Sequence, residues 1–152
     1  MGEGMFIVFE GPEGSGKTTQ ARRLKSFFER KGRTVVMLRE PGGTEIGERI
    51  RAVVLDASLK GMRRKTELFL YMASRSQMVE EAVKPALEKG HVVICDRYVY
   101  SSIVYQGYAG GLDPEDVMNM GNFATGRLKP DIVFILDIEA EKGLSRITGG
   151  LD

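Results

Sequence analysis

Four short apolar runs punctuate the chain, at Met5–Glu10, Thr34–Arg39, His91–Asp96 and Asp131–Asp137, each rich in Val, Ile or Phe. They are nearly continuous rather than alternating, the pattern of parallel strands covered on both faces. Longer polar-periodic segments lie between them and predict helices at roughly 16–31, 44–56, 64–89, 97–108, 114–125 and 139–147. Strand–helix alternation of this kind predicts an α/β fold, a doubly wound parallel sheet flanked by helices. Gly32 and Gly90 stand where left-handed C-caps are expected, and Asp113 before Pro114 reads as an N-cap. Pro85 should kink or split the long third helix. In such sheets ligands bind beyond the carboxyl ends of the strands, where Glu10 to Lys17, Arg39-Glu40, Asp96-Arg97 and Asp137 fall.

Composition narrows the partners. With 152 residues, 42% hydrophobic, 28% charged and a net charge of +1, the chain suits one domain with a substantial core. It offers no basic surface for a nucleic-acid polymer. The one cysteine, Cys95, lies inside an apolar strand and reads as a buried thiol in a reducing, cytoplasmic setting; the one histidine, His91, lacks metal-ligand spacing. No run reaches membrane-spanning length, and Met1-Gly2-Glu3-Gly4 carries neither a signal-peptide pattern nor, with Phe6, a myristoylation motif. A soluble cytoplasmic protein with no membrane partner is expected.

The first candidate for chemistry runs from Gly11 through Pro12, Glu13, Gly14, Ser15, Gly16 and Lys17 to Thr18 and Thr19. It matches G-x-x-x-x-G-K-[ST] between a strand and a helix, the phosphate-binding loop. Its glycines let backbone N–H groups wrap a polyphosphate and deliver it to the positive end of the following helix. Lys17 would reach the β/γ oxygens of ATP, and the Thr18 hydroxyl would join a Mg²⁺ shell.

Three further groupings surround it. Asp96 closes a buried strand, the usual place for a Mg²⁺ ligand beside such a loop, and Arg97 offers a fork for phosphate. Arg39-Glu40-Pro41-Gly42-Gly43-Thr44 makes a tight loop into the helix that carries Arg49 and Arg51. Tyr71 and Arg75 share a helix face at i,i+4, which suits either base recognition or a core tyrosine with a surface arginine. Ser102, Tyr105 and Gln106 form a second polar and aromatic face. A different small-molecule kinase and a nucleotide-sensing ATPase remain alternatives at this level. A GTPase is disfavoured, since no Asn-Lys-x-Asp or Asp-x-x-Gly motif occurs.

The phosphate loop, Arg39-Glu-Pro-Gly-Gly-Thr, Tyr71-x-x-x-Arg75 and Asp96-Arg-Tyr-x-x-Ser-x-x-x-Tyr-Gln-Gly together resemble the thymidylate kinase family, from Met5 to about Leu144. The resemblance implies transfer of the ATP γ-phosphoryl group to dTMP with Mg²⁺, giving dTDP and ADP. It also implies a P-loop nucleoside monophosphate kinase fold with five parallel strands, usually as a homodimer. By position, Glu13 would lie near the acceptor 3′-hydroxyl and Arg97 would hold the dTMP phosphate. Arg39, Glu40 and Arg51 would line the same pocket. Tyr71 would stack on thymine, Arg75, Ser102 and Gln106 would read its edge, and Tyr105 would disfavour a 2′-hydroxyl. Gly14 corresponds to the form with glycine rather than arginine in the loop, whose catalytic arginine sits in a lid beginning near Glu141. Arg146 is the candidate. In the family the lid continues past Asp152 into a helix, a strand and a final helix, so a single kinase domain of residues 1–152, cut within the lid, is expected; a protein ending there would have weak or absent kinase activity.

Overall fold

The computed structural model describes residues 3–148, so the readings of Met1-Gly2 and of 149–152 lie outside the described residues. The chain runs β1 (Met5–Glu10), α1 (Lys17–Arg30), β2 (Val35–Arg39), α2 (Glu45–Val54) and α3 (Arg64–Met78), then a π-helical turn (Val79–Val83) and α4 (Lys84–Glu88). There follow β3 (Val92–Asp96), α5 (Val99–Ser102), a second π-helical turn (Ile103–Tyr108), α6 (Pro114–Ala124), β4 (Ile132–Ile135) and α7 (Ala140–Thr148). Among the described residues the strands form one parallel sheet in the order β2-β3-β1-β4, the four strands read from the sequence.

Alternate residues of the strands fill two cores. Phe6, Val8, Leu38, Val93 and Cys95 face Met78, Val79, Val83, Tyr98 and Val99 on one side. Ile7, Phe9, Val92 and Ile94 face Ala21, Leu24 and Phe28 of α1 on the other. Burial of these side chains is the main favourable contribution to folding. β4 departs from the two-sided expectation: among the described residues it is an edge, with Ile135 74% exposed, anchored by the stacking of Phe134 on Phe9 at 5.1 Å.

The expected 64–89 helix is divided, as Pro85 required, but the change begins six residues earlier. The helix widens to π geometry over Val79–Val83 before Pro85 enters α4, where its missing N–H costs nothing. The expected 97–108 helix starts two residues late because Arg97 holds φ 72°. Gly32 and Gly90 both have φ 74° past their helices, and the Asp113 and Thr44 side chains cap α6 and α2 by accepting from Glu115 and Gly47 N–H groups.

Candidate active site

Strand register sets the site. Pairing of Phe9 and Arg39 with Asp96 brings the ends of β1, β2 and β3 level, so the loops that follow open on one edge. Two adjoining cavities lie there. One, of about 530 Å³, is lined by Glu13, Gly14, Gly16, Lys17, Thr18, Thr19, Arg22, Arg39, Asp96 and Arg146. The other, of about 240 Å³, is lined by Tyr71, Arg75, Ser101, Ser102, Tyr105, Gln106, Pro41 and Leu55. Glu13, Glu40, Arg51 and Arg97 line both.

The first cavity is the phosphate loop and what stands over it. Gly14 (φ 70°) and Gly16 (φ 89°) turn the backbone in the left-handed region. Lys17 is buried, its Nζ donating to the Pro12 carbonyl at 2.8 Å. Burial, reinforced by the nearby Arg97 charge, pulls its pKa below the usual lysine value despite Asp96, Glu13 and Glu10. Thr18 donates its hydroxyl to Asp96 Oδ2 at 2.9 Å, so the two expected metal ligands already lie side by side. Gly11, Pro12 and Ser15, expected to bind ATP, do not line the cavity; they build the loop beneath it. Over the loop sits α7. Arg146 Nη1 donates to the Gly14 carbonyl at 2.9 Å, and a Cβ on Gly143 would stand 2.7 Å from the Glu13 carbonyl.

Arg97 joins the two cavities. It holds φ 72°, a conformation costing a non-glycine residue on the order of 1 kcal/mol or more. The conformation persists because its neighbours define it. Its N–H donates to Phe9 O, Nη1 donates to Ser101 Oγ at 3.1 Å, and Nη2 donates to Glu13 and to the Tyr105 hydroxyl. Its guanidinium lies over the Tyr105 ring, 5.1 Å from the centroid. Burial would lower its pKa, but Tyr105 and Glu13 outweigh that and raise it. Burial likewise pushes the Glu13 carboxyl up, and the hydrogen bond and charge of Arg97, with Lys17 and Arg51, bring it below the usual value.

The second cavity rests on a buried ion pair. Arg75, 1% exposed, donates through Nε and Nη2 to Glu40, with Nη2 also reaching Ser102 Oγ at 2.9 Å and Tyr98 O at 3.1 Å. Most of its fork is therefore held by protein, so Arg75 and Glu40 stiffen the wall they line. Tyr71 lies half-buried in that wall, and Tyr105 is 43% exposed at its mouth. Arg39, expected in the acceptor pocket, pairs with Glu48 at 3.0 Å and lines the phosphate cavity that adjoins it. Arg51 instead reaches in from α2, donating to Pro41 O at 2.8 Å.

Some lining residues had no role in the sequence reading. Ser101 stood in the quoted motif without a function, yet it joins Glu10 to Arg97. Arg22 stands one helical turn beyond Thr18, a spacing that could have marked it. Leu55 carried no signal; it arrives through the packing of α2 against α3.

A phosphate loop at the carboxyl edge of a parallel sheet, with a second cavity meeting it at an arginine, defines a P-loop kinase of small phosphorylated substrates. The particular family follows from comparison: the thymidylate kinase family model matches residues 9–151, and the chain belongs to that family. It is 49% identical over 144 residues to the thymidylate kinase of Bacillus licheniformis and 48% over 145 to that of Bacillus velezensis, covering 95% of this chain and 68% of each relative. The crystal structure of thymidylate kinase from Ehrlichia chaffeensis matches with a TM-score of 0.84 at 36% identity, over 97% of this chain and 84% of that one.

Proposed function

We propose that the two cavities are the donor and acceptor halves of one site, in which the γ-phosphoryl group of ATP passes to dTMP, giving ADP and dTDP. The observation that carries this reading is that Glu13, Glu40, Arg51 and Arg97 line both cavities, so substrates filling them would meet at Arg97. Family membership supplies the identity of the substrates.

A phosphate oxygen of dTMP attacks the γ-phosphorus while the bond to the β-bridging oxygen breaks and ADP leaves. The acceptor is already an anion, so no general base is required. The protein's work is positioning and charge. Loop N–H groups and the amino end of α1 hold the donor phosphates, and Lys17 exchanges its Pro12 contact for the β/γ oxygens. Arg97 holds the acceptor phosphate, and Arg146, already over the loop opposite Gly14, adds a cation from the lid.

Thr18 and Asp96 would hold Mg²⁺. Their hydroxyl and carboxylate, 2.9 Å apart on the phosphate cavity, are hard oxygen donors that fit it. When bound, Mg²⁺ neutralises charge on the transferred phosphate. Among the described residues no cluster of three His, Cys, Asp or Glu forms a metal cage, which suits a cation that arrives with its nucleotide. In the second cavity Tyr71 faces the base and Tyr105 the sugar. A homodimer and a cytoplasmic location, where ATP is available, belong to the same reading. No helix among the described residues is long and apolar enough to cross a membrane.

The test is ADP formation with dTMP, dUMP, UMP, AMP and shikimate as acceptors. Turnover should be strongest with dTMP; faster turnover with any other acceptor would sink the assignment.

A further inference from the structure

We propose that Glu67 is a positioning residue that fixes the direction of the Gln106 side-chain amide and thereby makes the acceptor cavity select a base presenting an N–H donor. The proposal rests on the reading of that cavity as the nucleotide acceptor site.

Glu67 stands on α3 one turn before Tyr71, and it was not singled out by the sequence. Its Oε1 accepts from Gln106 Nε2 at 3.2 Å, and its Oε2 accepts from Arg64 Nη1 at 3.1 Å. Gln106 is 3% exposed and lines the cavity, and its other amide atom, Oε1, is buried without a hydrogen-bond partner among the described residues. A carboxylate can only accept, so the amide must turn its NH₂ toward Glu67; the reversed amide would set two acceptors against each other. That leaves a buried carbonyl oxygen, on a side chain that lines the cavity, that no group among the described residues serves. An unserved buried acceptor costs about 1–3 kcal/mol, recovered when a donor arrives from the cavity.

The direction of the amide therefore decides what is recognised. Thymine and uracil carry an N–H at ring position 3, whereas cytosine has a bare acceptor nitrogen there and would face an acceptor. Glutamine at position 67 would keep the shape but could give or accept a hydrogen bond. Gln106 would then be free to turn over, and the discrimination would fade.

Calorimetric binding of dTMP and of dCMP separates the cases, using the unmodified chain, Glu67→Gln, Gln106→Met and the double variant. The unmodified chain should prefer dTMP, and Glu67→Gln should reduce that preference about tenfold, the scale of one unsatisfied hydrogen bond. In the Gln106→Met background the same change at Glu67 should leave the preference unaltered. A preference that persists in Glu67→Gln overturns the proposal, as does an equal loss in the Gln106→Met background, which would mark Glu67 as merely structural. Equal or inverted affinities in the unmodified chain would instead overturn the reading of the cavity, and the role of Glu67 with it.

Discussion

Lys17 folds into a place that disfavours its own charge. Burial lowers its pKa, so as pH rises into the alkaline range below about 10.5 the folded chain releases a proton that the unfolded chain still holds. In that window stability contributed by this group increases with pH, while the cation needed by the phosphates is lost. ATP affinity should therefore decline at a lower pH than an ordinary lysine predicts, measurable by nucleotide titration across the alkaline range, and Lys17→Met should remove that decline. The same substitution should cut phosphoryl transfer by about 100-fold or more, with the melting temperature held or raised. Turnover close to that of the unmodified chain would refute the role of Lys17. At the mouth of the other cavity, Tyr105→Ala should narrow the gap between deoxyribo- and ribonucleotide turnover. An unchanged ratio would remove Tyr105 from the sugar site.

Between elements, two contacts tie the phosphate loop to what surrounds it. Glu10, at the end of β1, accepts from the N–H groups of Tyr98 and Ser101 and from the Ser101 hydroxyl at 2.5 Å. A buried carboxylate thereby caps the start of α5 and fixes the serine that holds Arg97. Glu10→Gln should cost about 1–3 kcal/mol in urea unfolding and raise KM for dTMP more than KM for ATP. The second contact is glycine on glycine. A Cβ on Gly143 would press on the Glu13 backbone, so Gly143→Ala should lift α7 from the loop and loosen Arg146 from Gly14. ATP binding should weaken more than dTMP binding, and equal losses would show that α7 does not serve the donor side. The glycines of the loop were legible from the motif. That Gly143 matches Gly14 across 129 residues of chain was not, because close approach between two backbones leaves no local pattern.

For the molecule as a whole, the Arg75–Glu40 pair joins α3, the loop after β2 and both ends of α5, through Tyr98 O before it and Ser102 at its close, in one buried knot. Arg75→Ala would leave the Glu40 carboxylate buried and alone, a loss of about 3–5 kcal/mol. Chemical denaturation should show a smaller loss for the paired Arg75→Met, Glu40→Leu variant. If both unfold alike, the pair is not what holds these elements together.

Continuous apolar runs determined the strands, and helical periodicity the elements between them, because a sheet covered on both faces must be apolar along its length. The phosphate loop also declared itself in sequence, since its glycines, lysine and threonine act within a single turn. Tertiary structure alone decided which arginines face a ligand and which serve the fold. Arg39 opens and Arg75 closes a motif pointing to a nucleotide, yet one turned to the phosphate cavity and the other was largely taken up by Glu40. Spacing along a helix or strand gives a side chain's direction, but only packing supplies the partners that compete for its hydrogen bonds.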